Sequence, residues 1–349
     1  MDTGCATGAT VVDLCARSVG VDPATLQLFS SRRCRGSIIA VVGAANDDGG
    51  KRYVVKTPAT ASRAAKWNPE REFAALQQLS EVAPQSREFG IVEGIGVGSS
   101  PPHLVTRFVD GVTLTSLMLK SSSDQDFILN AARSSGRWAA AMQESHAAEG
   151  EGVTPDAFVS SCRECVDQIL QSGRLDLDGA RIIETVAKAV SRADEPALAR
   201  IGSAFPSHGD YVPDNILVDR TGCIYPFDPE GFGYAPLDRD LMRFKFWMQR
   251  LIGRRHRRRA SLQSYWHAVC AGYVAGGGNE YAASLSYLHY VLHRLAWRSE
   301  RRSRLPRSPR ALLSWWDDRV WLQTWIQYVT ALGEGRSDIH TLWQEVIHG

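Results

Sequence analysis

Residues 208–240, HGDYVPDNILVDRTGCIYPFDPEGFGYAPLDRD, constrain this chain more than any other stretch. Two strand-like apolar runs, 216–218 and 223–227, flank an Asp219-Arg-Thr-Gly222 turn, and this order predicts a β-hairpin. A hairpin folds back on itself, so Asn215 before the first strand and Asp228 after the second are expected to come close together. An amide oxygen beside a carboxylate is a hard-oxygen pair. It suits Mg²⁺ held together with substrate phosphates better than it suits zinc or copper. Asp210 precedes the hairpin in a turn, positioned to accept a proton from an attacking hydroxyl.

A chain of 349 residues with 44% hydrophobic and 22% charged residues can bury a full core. No run of about 18 apolar residues occurs, and the N-terminus has neither a basic leader nor a long apolar segment. A cytoplasmic location is expected. Seven cysteines without regular spacing fit reduced thiols better than a disulfide framework. Cys162 and Cys165 share one helical face, but no second Cys or His pair stands near them, so they read as packing residues rather than zinc ligands.

Taken in order, Thr10-Val-Val-Asp13 resembles a capping box opening a short helix, and strands are expected at 26–29, 38–42 and 53–56. Residues 30–37 and 46–50 are expected as loops, the first in the place of a phosphate-covering loop or of a plain hairpin turn. Lys56 ends its strand. Asn68-Pro69 caps a helix running to Leu79, and at about 100° per residue Glu72 falls on the apolar stripe with Leu76 and Leu79 while Glu70 points away. A carboxylate on a buried stripe needs a partner, and Lys56 is the obvious one. Gly94-Ile-Gly-Val-Gly98 is expected as a loop, 103–109 as a strand, and 127–148, 156–170, 179–193, 241–252 and most of 261–348 as helices.

These residues carry a family resemblance. The chain resembles the aminoglycoside phosphotransferase and choline kinase-like family, relatives of the protein kinases in which a catalytic-loop Asp and an Asn five residues on precede a metal-binding Asp. His208-Gly-Asp210 in place of His-Arg-Asp points to the small-molecule branch, and Asp228-Pro-Glu230 stands where the family has Asp-Phe-Gly or Asp-Phe-Glu, so Pro229 is a departure.

The resemblance implies an α+β, bilobal protein kinase-like fold. Residues 1–108 would form a small antiparallel-sheet lobe for the nucleotide, and 109–349 a larger, mainly helical lobe for catalysis and the acceptor. ATP and Mg²⁺ are the implied cofactors. Lys56, paired with Glu72, would steady the phosphates, and backbone groups from Thr106 to Phe108 would meet the adenine. Asp210 would act as base, and Asn215 and Asp228 would hold the metal. Glu230 would help with a second ion, and Asp240 would buttress the catalytic loop.

The implied reaction moves the γ-phosphoryl group of ATP to a hydroxyl of a small molecule such as an aminoglycoside-like antibiotic, a sugar or an amino alcohol. A phosphorylated or lipid-linked saccharide as acceptor, and a nucleotide-binding pseudokinase scaffold, remain open alternatives.

Net charge is +2, yet residues 250–310 carry 13 Arg, no Lys and two acids, a local +11 that leaves −9 for the rest. The runs at 254–259 and 298–310 read either as solvated surface or as capture sites for an anionic acceptor. No nucleic-acid-binding motif accompanies them, so no specific nucleic acid partner is expected. Trp247, Trp297, Trp315 and Trp316 read as core or interface packing, or as surfaces for a sugar or cationic amine.

Overall fold

Apolar side chains at alternate positions of the strands on either side of the 45–49 connection make the centre of a sheet, as a period of two requires. A computed structural model of the protein describes residues 8–34, 36–44, 50–84, 86–120, 124–145, 154–172, 179–201, 203–229, 231–236, 239–255 and 258–301. The chain forms two compact units. The first comprises the chain up to Thr113 with His208–Asp210 and Asn215–Phe232; the second comprises Leu114–Ser207, Tyr211–Asp214 and the chain from Gly233.

In the first unit, helix α1 (Gly8–Val19) leads into β1 (Leu26–Cys34), β2 (Ser37–Ala44) and β3 (Arg52–Pro58). A single turn α2 (Ala61–Ala64), helix α3 (Pro69–Val82), and strands β4 (Gly94–Ser99), β5 (Pro102–Arg107) and β6 (Gly111–Thr113) follow. Five strands form one antiparallel sheet in the order β1-β2-β3-β5-β4. Val11, Leu14 and Cys15 of α1 are buried against Ala40, Val42, Tyr53, Val55 and Val105, one apolar face closed by one amphipathic helix.

Three expectations are corrected here. Thr10 lies within α1, so it does not cap that helix. Residues 30–34 are not a loop: β1 runs on to Cys34, which pairs with Ser37, and Gly36 has φ +91°. The cause is that β1 is an edge strand exposed along nearly its whole length, so it needs no apolar alternation, and Ser30, Ser31, Arg32 and Arg33 suit an unpaired edge. Residues 94–98 are strand β4, paired with β5. Their glycines admit neighbours, since a Cβ on Gly98 would overlap the His103 ring and one on Gly96 would press on Ser18.

The second unit is mainly helical: α4 (Leu114–Leu119), α5 (Gln125–Ser145), α6 (Pro155–Gln171), α7 (Gly179–Arg192) and α8 (Glu195–Ile201). Strand β7 (Ala204–Ser207) follows, and β8 and β9 return to the first unit. The second unit resumes with β10 (Gly233–Pro236), α9 (Arg239–Arg254), α10 (Arg259–Ala275) and α11 (Glu280–Arg301). β7 and β10 pair as a two-stranded ribbon. The core contains an aromatic file: Trp138 stacks on Tyr211 at 4.6 Å, Tyr211 lies 5.8 Å from Phe244, and Phe244 lies 6.3 Å from Trp266. Tyr211 also donates its hydroxyl to Ser135 O at 2.8 Å.

Cys162 and Cys165 are buried on α6. Among the described residues no group of three or more His, Cys, Asp or Glu is placed to hold a metal, and no helix is long and apolar enough to cross a membrane. The expected 46–50 loop, the Trp315–Trp316 pair, His256 and Arg257 of the first Arg run, and the second Arg run beyond Arg301 lie outside the described residues, residue 50 excepted.

Candidate active site

The hairpin forms as β8 (Ile216–Asp219) and β9 (Ile224–Pro226), with Ile216 opposite Pro226 and Val218 opposite Ile224. Asp219 builds its turn. One carboxylate oxygen accepts from Thr221 N at 2.8 Å, Thr221 Oγ1 at 2.7 Å and Cys223 N at 3.0 Å. Partial burial works against the Asp219 charge, but these hydrogen bonds outweigh it and hold its carboxyl below the usual range. β6 extends the hairpin to three strands by pairing with β8.

The register brings the two candidate metal ligands together: Phe227 N donates to Asn215 O at 2.9 Å, so the residue before Asp228 is tied to Asn215. Asp228 itself has φ +62°, a left-handed conformation that costs a non-glycine residue about 1 kcal/mol. Glu230 lies outside the described residues.

Gly209 explains the glycine of the His208-Gly-Asp210 turn. It has φ +79°, and a Cβ there would run into the carbonyl of Gly231. Backbone therefore lies directly on backbone where the two loops of the site meet. Asn215 Nδ2 donates both to Asp210 O and to Asp210 Oδ2, each at 3.0 Å, which fixes the Asp210 carboxylate against the start of β8. In the second unit, Ser207, the residue before His208, donates Oγ to Asp240 Oδ1 at 2.9 Å, and both are buried.

Lys56 stands near the end of β3, opposite Ile39 on one side and Leu104 on the other. Its ammonium donates to Glu72 Oε1 at 2.8 Å, to Glu72 Oε2 at 2.9 Å and to Asp228 Oδ1 at 2.7 Å. Glu72 reaches it because α3 starts where its cap dictates. Asn68 Oδ1 accepts from Arg71 N at 2.9 Å, Pro69 occupies the first turn, and the helical phase then buries Glu72 and leaves Glu70 exposed.

Burial would pull the Lys56 ammonium toward neutrality, but Asp228 and Glu72 reverse this and raise its pKa. Burial pushes the Glu72 carboxyl up to about 7 against the attraction of Lys56. Burial also opposes the Asp228 charge, yet Lys56 holds that carboxyl below its usual range. Removing Lys56 would leave the buried Glu72 carboxylate uncompensated, at a cost of about 3 to 5 kcal/mol.

Thr106 lies in β5 and Phe108 just beyond its end. The Phe108 amide donates to Arg52 O at 3.0 Å and the Arg107 amide to Glu93 O at 2.8 Å, so those two N–H groups belong to the sheet. Sequence reasoning passed over Trp67, which donates Nε1 to Glu72 Oε2 at 2.7 Å. The available signal was an aromatic residue directly before the Asn68 cap.

A family model described as the phosphotransferase enzyme family matches residues 41–276. No curated protein matches the chain. Among solved structures, a protein of Ralstonia eutropha assigned as an aminoglycoside phosphotransferase is similar at TM-score 0.53 and 11% identity, over 93% of this chain and 97% of that one. That likeness supports a shared fold, an α+β fold of the protein kinase-like kind. An aminoglycoside phosphotransferase from Alicyclobacillus acidocaldarius is similar at TM-score 0.48 and 16% identity, over 92% and 93% of the two chains. A choline kinase from Cryptosporidium parvum is similar at TM-score 0.43 and 11% identity, over 96% of each. Because the family match takes in both the strand that carries Lys56 and the hairpin that leads to Asp228, over more than half of the chain, the chain belongs to the phosphotransferase enzyme family and transfers a phosphoryl group to a hydroxyl.

Proposed function

We propose that the protein is an ATP-dependent kinase of a small molecule, with residues 1–108 as the nucleotide lobe and 109–349 as the catalytic and acceptor lobe, acting in the cytoplasm. The observation that carries this reading is the ammonium of Lys56 bound at once to Glu72 and Asp228, with Asn215 bound to Asp210 on the same frame. Lys56, steadied by Glu72, would bind the ATP phosphates, with the adenine near the backbone of Thr106 to Phe108. Asp210 would accept the acceptor's hydroxyl proton as its oxygen bonds to the γ-phosphorus; the bond to the bridging oxygen breaks and ADP leaves. Most of the rate gain in such chemistry comes from positioning and charge neutralisation.

The residues present fit Mg²⁺. Asn215 spends its Nδ2 on Asp210, which leaves Oδ1 as the atom available to a metal, and the Asp228 carboxylate supplies a second hard oxygen. Two protein ligands suit an ion that fills its shell from phosphate oxygens and water. When bound, Mg²⁺ would neutralise phosphate charge. Asp228→Ala is expected to abolish metal-dependent ATP affinity, read by calorimetry, and undiminished affinity would refute the assignment.

The acceptor hydroxyl would belong to an aminoglycoside-like antibiotic, a sugar or an amino alcohol. The local charge of +11 over residues 250–310 favours a second reading, a phosphorylated or lipid-linked saccharide, because it would concentrate anions. An ADP-release screen of neutral, cationic and phosphorylated acceptors at low and physiological salt separates these. Only an anionic acceptor should show a KM that rises with salt. ATP binding without turnover of any acceptor would favour a pseudokinase scaffold.

A further inference from the structure

Helix α3 begins with an unusual pairing. In a common helix start, the residue before the cap and the fourth helical residue are both apolar and pack together as a staple. Here those two positions are Trp67 and Glu72, so a carboxylate occupies the inner half of the staple. The indole reaches it through its N–H, Nε1 to Oε2 at 2.7 Å, in a buried bond. Trp67 is 7% exposed and lies in one apolar cluster with Leu76 and Leu104, with Phe73 packed against it, while its backbone N donates to Arg63 O at 2.9 Å. Leu104 is also the β5 neighbour of Lys56, and the Lys56 ammonium lies 5.5 Å from the centre of the indole. One rigid ring thus touches both halves of the ion pair.

We propose that Trp67 is a positioning residue for the Lys56–Glu72 pair, an inference that rests on reading Lys56 as the phosphate-binding lysine. The ammonium is shared between two carboxylates, and the one on Asp228 is the shorter contact at 2.7 Å. A carboxylate turns easily about its last bond. The indole N–H holds Oε2 while both Glu72 oxygens face the ammonium, so Lys56 stays bound to Glu72 of α3 when Asp228 turns to a metal. Without that bond Glu72 can rotate, give up one contact and let the lysine follow Asp228. Packing alone could not do this, since a phenyl ring fills much of the same space and donates nothing.

The test uses Trp67→Phe in the full chain, with ATP and acceptor kinetics measured separately. The expected result is an ATP KM raised about tenfold, the scale of one hydrogen bond to a charged group, with acceptor KM unchanged. In a Glu72→Gln background the same replacement should change ATP KM less than about twofold, because the residue it acts through is already altered. Full additivity of the two changes would mean that Trp67 only packs, and would overturn the proposal. A Trp67→Phe enzyme with wild-type ATP kinetics would overturn it as well. Should the phenylalanine variant fail to fold, β-(3-benzothienyl)alanine at position 67 keeps both rings, lacks the N–H, and must show the same ATP KM increase. Wild-type protein that neither binds nor turns over ATP defeats the kinase reading and this inference together. Wild-type turnover with an indifferent position 67 defeats the inference alone.

Discussion

Two lysines of this protein are nearly shut off from water, and their surroundings hold them in opposite conditions. Lys56 in the first unit is 14% exposed, and Lys245 on α9 in the second is 5% exposed. Burial pulls both toward neutrality. Around Lys56 the two carboxylates overcome that pull and the ammonium is held more firmly protonated than in water. Around Lys245 stand the face of Trp266, 4.5 Å from the ammonium to the ring centre, and Cys270, whose own thiol burial pushes up to about 12; the lysine's pKa falls to about 7. Depth of burial therefore does not decide the charge of a lysine; the groups around it do. Two carboxylates share one ammonium at the first site, an arrangement that suits the metal-binding role proposed for Asp228.

The largest expected effect separates the two lysines outright. Lys56→Met strands the buried Glu72 carboxylate and the partly exposed Asp228 carboxylate and removes the proposed phosphate ligand, so turnover should fall by about 10³-fold and the melting temperature should drop. Steady-state kinetics and calorimetry read both, and a well-folded, active Lys56→Met enzyme would break the contrast. Asp210→Asn, which leaves the lysine cluster intact, should cut turnover by about 10²-fold while ATP affinity is kept. A loss under about fivefold would remove Asp210 from the role of base.

Glu72→Gln should cost about tenfold in kcat/KM for ATP, whereas Glu70→Gln, on the exposed side of α3, should stay within about twofold. Equal effects would detach the ion pair from function. The smallest effect belongs to Lys245→Met, which should leave kinetics unchanged and raise the melting temperature at pH 7 by about 3 °C or more. The folded pKa of about 7 lies below the unfolded value of about 10.4, so between them only the unfolded chain holds the proton. Stability of the parent protein therefore rises with pH across that window, and the gain from methionine should shrink toward pH 10. A gain that persists there would mean that Lys245 is not held near neutrality.

The residues that are legible in the sequence share one property: their placement follows from local rules. The 219–222 hairpin is written in turn chemistry, and the facing of Glu72 follows from a cap and a fixed angle per residue. β1 is not legible beyond Phe29, because an exposed edge strand has no buried face to impose alternation. β4 is hidden for a different reason. Its glycines answer to Ser18, Phe73 and His103, partners set by the fold rather than by the local pattern, so their spacing carries no local meaning. Trp67 escapes because an aromatic residue before a cap reads as ordinary packing, and only the folded chain aims its N–H at a carboxylate. The engagement of the Phe108 amide by Arg52 is likewise a matter of sheet register.

The first unit is assembled from three separated stretches of chain, and this has a consequence for how the protein is made. Lys56 and Asp228 are 172 residues apart, and Phe89 meets Ile224 in a β-bridge on the same frame. At ribosomal speed that separation takes roughly ten to thirty seconds to synthesise. Until then the five-stranded sheet can form while the β6-β8-β9 strands lack two of their members, and the Glu72 carboxylate has Lys56 to itself. The first unit is begun early and completed late, after α4 to α8 of the other unit have already left the ribosome. A chain truncated near residue 113 would hold the five-stranded sheet with Lys56 and Glu72, and would lack Asp210, Asn215 and Asp228.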